Sequence, residues 1–137
     1  MSRNPSAVPR RILIADDNRD AAESLGMLLQ RMGHDVRLSF DGLDAVTAAA
    51  AFRPSLILLD LGMPVMDGRA LLDEFGRSER LAGIPTIVMS AYGDRWDSPI
   101  SVRQVAALLP KPFDPDTLLG TIGRVLDREG LAVPAGR

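Results

Sequence analysis

Leu56-Ile57-Leu58-Leu59-Asp60, entered through Arg53-Pro54-Ser55, places four aliphatic side chains in a row and ends them with a carboxylate. An unbroken apolar run of this length reads as a strand buried on both faces, as in a parallel sheet covered by helices. It is the candidate centre of the sheet. A similar run, Arg11-Ile12-Leu13-Ile14-Ala15, ends in two acids, Asp16 and Asp17. If the two strands are parallel neighbours, the three acids share one edge. Crowding like charges raises the cost of ionising them unless a cation sits among them, so the pattern asks for a divalent metal.

Outward from these runs, short apolar stretches alternate with helical periodicity, which implies an α/β protein with a parallel sheet. Asp20 to Met32 repeats Ala21, Leu25, Leu28 and Met32 at helical spacing, with Gly33 as a stop. Asp35 to Phe40 reads as a strand, and Asp41-Gly42 turns the chain into an alanine-rich helix, Leu43 to Phe52, closed by Arg53-Pro54. The alanines suggest close helix packing. A third helix is expected over Arg69 to Gly76 and a fourth strand over Pro85 to Met89. Pro99 argues against a long fourth helix, because proline lacks a backbone donor and clashes inside a helix. A short one from Ser98-Pro99, or none, is expected. Val105 to Leu109 supplies a fifth strand, and Asp114-Pro115 starts a last helix with Leu118, Leu119, Ile122, Val125 and Leu126 on one face and Gly130 at its end. Five β/α repeats thus occupy residues 11–128, with polar tails over 1–10 and 129–137.

Composition narrows the function classes. The chain has 137 residues, 46% of them hydrophobic and 25% charged, enough for one domain with a proper core. A net charge of −2 gives no electrostatic basis for binding nucleic acid. The absence of cysteine excludes disulfides and thiolate metal sites. No stretch resembles a signal peptide or reaches the roughly 18 to 20 apolar residues of a membrane helix. A cytoplasmic protein without membrane contact is the expectation.

In an open parallel sheet every strand's carboxyl end points to the same edge, so sequence position becomes spatial proximity. Asp16 and Asp17 follow the first strand, Asp60 the third, Ser90 the fourth and Lys111 the fifth. Carboxylates to hold a metal, a hydroxyl to bond an oxyanion and an ammonium to neutralise charge suit phosphoryl transfer. Oxygen-only ligands favour Mg²⁺. Asp60 could then act as nucleophile toward an incoming phosphoryl group.

These residues resemble the receiver domain of two-component response regulators. The likeness rests on Ile14-Ala15-Asp16-Asp17-Asn18, on Leu58-Leu59-Asp60-Leu61-Gly62-Met63-Pro64-Val65-Met66-Asp67-Gly68, on Ser90-Ala91 and on Lys111-Pro112-Phe113, and it covers Arg11 to Arg128. It implies a flavodoxin-like (βα)5 doubly wound sheet, order 2-1-3-4-5. It implies Asp60 as phosphoacceptor, and Asp17 with the Gly62 backbone carbonyl as Mg²⁺ ligands beside Asp60, with Asp16 reaching the metal through water. Ser90 becomes the switch hydroxyl, Lys111 the phosphoryl contact, and the Lys111-Pro112 bond is typically cis. The phosphoryl donor would be a histidine kinase or a histidine phosphotransfer protein. The domain would be no enzyme beyond slow self-dephosphorylation, and a monomer or weak homodimer. No output domain is evident, and likeness to hybrid-kinase receivers leaves open whether the chain works alone or as part of such a kinase. Two departures stand out. Leu108 replaces the usual Tyr or Phe three residues before the lysine, and Gln104-Val105 replaces the usual Gly-Ala before the fifth strand.

Structural readings compete at several positions. Asp67 with Gly68 shapes a loop, with Met63 and Met66 packing it. His34, at the amino end of the second strand, has a surface or packing role rather than a phosphodonor's. Tyr92 and Trp96 either form a partner patch or cover the core, and both readings stay open. Among other functions, a haloacid-dehalogenase-like phosphatase wants an Asp two positions after its nucleophile, where this chain has Gly62. A flavodoxin-type cofactor loop would offer hydroxyls and N–H groups rather than Asp16 and Asp17. A pseudo-receiver would lack a site residue, and none is missing.

Overall fold

A computed structural model describes residues 10–61, 74–78, 81–90 and 105–132. Its strands are β1 (Arg11–Ala15), β2 (Asp35–Ser39), β3 (Leu56–Asp60), β4 (Thr86–Ser90) and β5 (Val105–Pro110), and its helices are α1 (Arg19–Arg31), α2 (Gly42–Phe52) and α3 (Pro115–Ala132). The strands form one parallel sheet in the order β2-β1-β3-β4-β5. This is the order that the resemblance implied.

All five residues of β3 are buried, and alternation of side chains across the sheet explains why the run shows no polar face. Ile57 and Leu59 join Leu13, Ala15 and Val88 beneath Ala45, Ala48 and Ala49 of α2. Leu56 and Leu58 join Ile12, Ile14, Ile87 and Met89 beneath α1 and α3. The alanines of α2 are packing residues, as read from the sequence. At Gly26 an added Cβ would stand 3.3 Å from Leu38 Cδ2, so the glycine lets α1 approach β2 closely.

Each of α1, α2 and α3 begins on a side-chain cap that accepts an otherwise unpaired N–H. Asn18 caps α1 through Ala21 N at 3.0 Å, Asp41 caps α2 through Asp44 N at 2.8 Å, and Asp114 accepts from Thr117 N at 2.7 Å. Gly33 takes a left-handed φ of 98° past the end of α1 and ends it as expected. Gly130 does not end α3, which runs on to Ala132. Glycine costs a helix interior about 1 kcal/mol relative to alanine but does not forbid it, and the left-handed turn is what terminates.

Of the expected third helix, residues 74–77 are helical with Phe75 buried, and 69–73 lie outside the described residues. So do Gly62 to Gly68 and the region of Tyr92, Trp96 and Ser98-Pro99. Among the described residues no helix is long and apolar enough to cross a membrane.

Candidate functional site

The register of the sheet decides which residues meet. Asp60 is the last residue of β3 and pairs with Met89, and Leu61 N donates to Met89 O at 3.0 Å. Asp16, next after β1, donates its N–H to Ser39 O at 3.0 Å. Ser90 ends β4 opposite Pro110, and Lys111 N donates to Ser90 O at 2.7 Å. The Lys111-Pro112 peptide is cis. Asp16, Asp17, Asp60, Ser90 and Lys111 therefore share the carboxyl edge, as expected from the sequence, while Gly62 is outside the described residues.

Within that edge the charges are tightly drawn. Carboxylate oxygens of Asp16, Asp17 and Asp60 lie within 4.8 Å of one another. Lys111 Nζ donates to Asp60 Oδ1 at 3.3 Å and stands 3.7 Å from Asp16 Oδ2. Asp16 is 1% exposed and Asp60 6%, whereas Asp17 is exposed. Burial first, and then the charge of Asp60, hold the Asp16 carboxyl above the usual carboxylate range, against the Asn18 N–H and Lys111, which pull it down. One ammonium thus faces two buried carboxylates, with a third at the rim.

This donor set fits a divalent cation. Asp16 Oδ2 is buried and accepts no hydrogen bond among the described residues, and all the candidate ligand atoms are carboxylate oxygens, the hard donors that Mg²⁺ takes. A buried anionic oxygen without a donor is costly unless an ion or water completes it.

Sequence comparison settles the relationship. The response regulator receiver domain matches residues 12–123. The chain belongs to the response regulator receiver family. It is 33% identical over 117 residues to Protein PilH of Pseudomonas aeruginosa, covering 85% of this chain and 97% of that protein. It is 34% identical over 119 residues to the DNA-binding dual master transcriptional regulator RpaA of Synechocystis, covering 86% of this chain and 49% of RpaA. The chain thus spans about half of some relatives and nearly all of another. The signal receiver domain of a signal transduction histidine kinase from Syntrophus aciditrophicus shares 30% identity with a TM-score of 0.75, over 86% of this chain and 90% of that one. Receivers are signalling domains of two-component systems that interact with histidine kinases or phosphotransfer proteins and generally bind Mg²⁺ at an acidic pocket.

Some features of this receiver's site escaped the sequence reading. Asn18 both caps α1 and donates its N–H to Asp16 Oδ1 at 3.0 Å, which orients that carboxylate. The pattern of an Asn ahead of a helix three residues before Ala21 was the available signal. An open groove of about 400 Å³ runs beside Asp16, lined among others by Asn18, Ser24, Leu25, Lys111 and Phe113. Leu108, where the family usually has an aromatic, is 45% exposed on the edge strand β5.

Proposed function

We propose that the protein is a phosphoacceptor: Asp60 takes a phosphoryl group from the phosphohistidine of a histidine kinase or phosphotransfer protein, in the presence of Mg²⁺. The reading is carried by Lys111, which bonds Asp60 at 3.3 Å while standing 3.7 Å from Asp16, inside a cluster of three carboxylates. Asp17, Asp60 and the Gly62 backbone carbonyl would hold Mg²⁺, with Asp16 reaching it through water. When bound, the ion neutralises charge on the transferred oxygens.

An Asp60 oxygen attacks phosphorus, a P–O bond forms, and the P–N bond to the donor imidazole breaks. The electron pair leaves with the nitrogen, which is then protonated. Lys111 would exchange its Asp60 contact for a phosphoryl oxygen, and the Ser90 hydroxyl would donate to another. Water slowly returns Asp60 to its free form. The altered carboxyl edge changes partner binding, in a cytoplasmic domain over residues 11–128 that is a monomer or weak homodimer, without nucleic-acid or membrane contact.

The test is to incubate the protein and Asp60→Asn with Mg²⁺ and a small acyl-phosphate donor and to weigh the intact chains. One added phosphoryl group on the wild type alone is expected. No addition, or equal addition to both, contradicts the reading. Rapid multiple turnover of a small phosphate ester would instead favour a phosphatase.

A further inference from the structure

Arg19 opens α1 two residues after Asp17, and its guanidinium carbon sits 4.1 Å from the centroid of the Phe40 ring. An exposed arginine two residues from an acidic pair could turn toward those carboxylates, since opposite charges attract even in water. Arg19 does not. Among the described residues no carboxylate forms an ion pair with it.

The topology explains where it has gone. Phe40 follows β2, whose Ser39 pairs with Ala15 and accepts from Asp16 N. β2 lies on one side of β1, and β3 with Asp60 lies on the other. The stack therefore holds the guanidinium on the β2 side, while Lys111 enters from the β5 side. The ring is itself anchored, because Phe40 packs against the core beneath α1. The loop that carries it is pinned as well, with Ser39 Oγ donating to Asp44 Oδ2 at 2.8 Å and to Asp41 O at 3.2 Å.

We infer that Phe40 is a positioning residue for the metal site: its ring keeps the Arg19 cation out of the acidic pocket, so that Asp17 remains available to a divalent ion. The inference rests on the metal-site reading given under the proposed function and adds a determinant of Mg²⁺ affinity that lies outside the ligand set. Releasing Arg19 lets it compete with Mg²⁺ for Asp17. The competition cannot exceed what the stack was worth, which for an exposed cation–π pair corresponds to about a two- to five-fold change in affinity.

The experiment is titration calorimetry with Mg²⁺ alone on the full chain, without any phosphoryl donor. Phe40→Leu keeps apolar bulk on the core while removing the ring, and a thermal melt of each variant reports folding. Expected are a two- to five-fold weaker Mg²⁺ affinity in Phe40→Leu, no weakening in Arg19→Ala, and recovery of the Arg19→Ala value in the double variant. Phe40→Trp, with a stronger ring, should bind Mg²⁺ at least as well as wild type. Equal weakening by Phe40→Leu with and without Arg19 would show that the ring acts through packing and would overturn the inference, as would unchanged affinity in the single variant. A wild type that takes no Mg²⁺ would overturn the metal-site reading itself, and the inference with it.

Discussion

The two ends of the sheet are built from the same strands and solved in opposite ways. At the amino edge the polar contacts are backbone-centred, although the buried Thr86 Oγ1 has no hydrogen-bond partner among the described residues. Arg10 N donates to His34 Nδ1 at 3.2 Å, Arg11 Nε to Arg53 O at 3.2 Å, and Ser55 N to Arg11 O at 2.7 Å. At the carboxyl edge three carboxylates cluster with two of them on the Lys111 ammonium, and a buried oxygen of Asp16 accepts no hydrogen bond among the described residues. A neutral hydroxyl left unmatched costs far less than a buried carboxylate oxygen, so the end that crowds charge is where a cationic ligand is expected. The contrast separates a structural end from a reactive one without any appeal to relatives.

The largest expected effect removes what both ends stand on. Leu58 is fully buried in β3, and Leu58→Ala should cost about 2 to 5 kcal/mol in urea unfolding. Both edges should loosen together. A loss confined to one edge by hydrogen exchange would break the idea that they share a rigid floor.

A smaller effect distinguishes the edges. Mg²⁺ at ten times its dissociation constant should stabilise the wild type by about 1.4 kcal/mol, since it binds only the folded chain. Asp16→Asn should be more stable than wild type without metal, because it removes a desolvated charge beside Asp60 while Lys111 keeps Asp60 as partner. The same variant should gain much less from Mg²⁺. Urea midpoints with and without the ion measure both, and a metal-free variant less stable than wild type would contradict the account.

The smallest effect belongs to the amino edge. Burial, and then Arg10, hold the His34 pKa below its usual 6.5. A lowered histidine contributes stability that is present above pH 6.5 and lost as pH falls through the lower folded value. His34→Ala should cost about 0.5 to 1.5 kcal/mol at neutral pH, a hydrogen bond's worth. It should flatten the wild type's loss of stability on acidification and leave Mg²⁺ affinity unchanged. A matching acid slope in both proteins would show that His34 is not the titrating group.

The legible part of this molecule was carried by periodicity and topology. Leu56 to Leu59 reads as a doubly covered strand, and once the sheet was parallel the placement of Asp16, Asp17, Asp60, Ser90 and Lys111 followed from where each strand ended. The roles of Pro54, Asp41 and Gly33 as helix punctuation were equally local. What stayed hidden depends on contacts between distant residues. The Arg19–Phe40 stack joins positions with no shared period, and the capture of Arg10 by His34 depends on how β1 and β2 align. The irregular pairing of β4 and β5 at Thr86 and Ile87 is set by neighbouring strands rather than by local sequence. Gly130 misled because glycine permits a helix end without requiring one.

The central claim is that the three acids are not equivalent: Asp60 accepts phosphate, and Asp16 and Asp17 serve the metal. Treating the protein with an acyl phosphate and Mg²⁺, reducing the acyl phosphate with borohydride and sequencing the peptides by mass spectrometry tests this directly, because the reduced acceptor becomes homoserine. The account predicts homoserine at position 60 alone. Homoserine at 16 or 17 in the wild type, or at no aspartate, would contradict it.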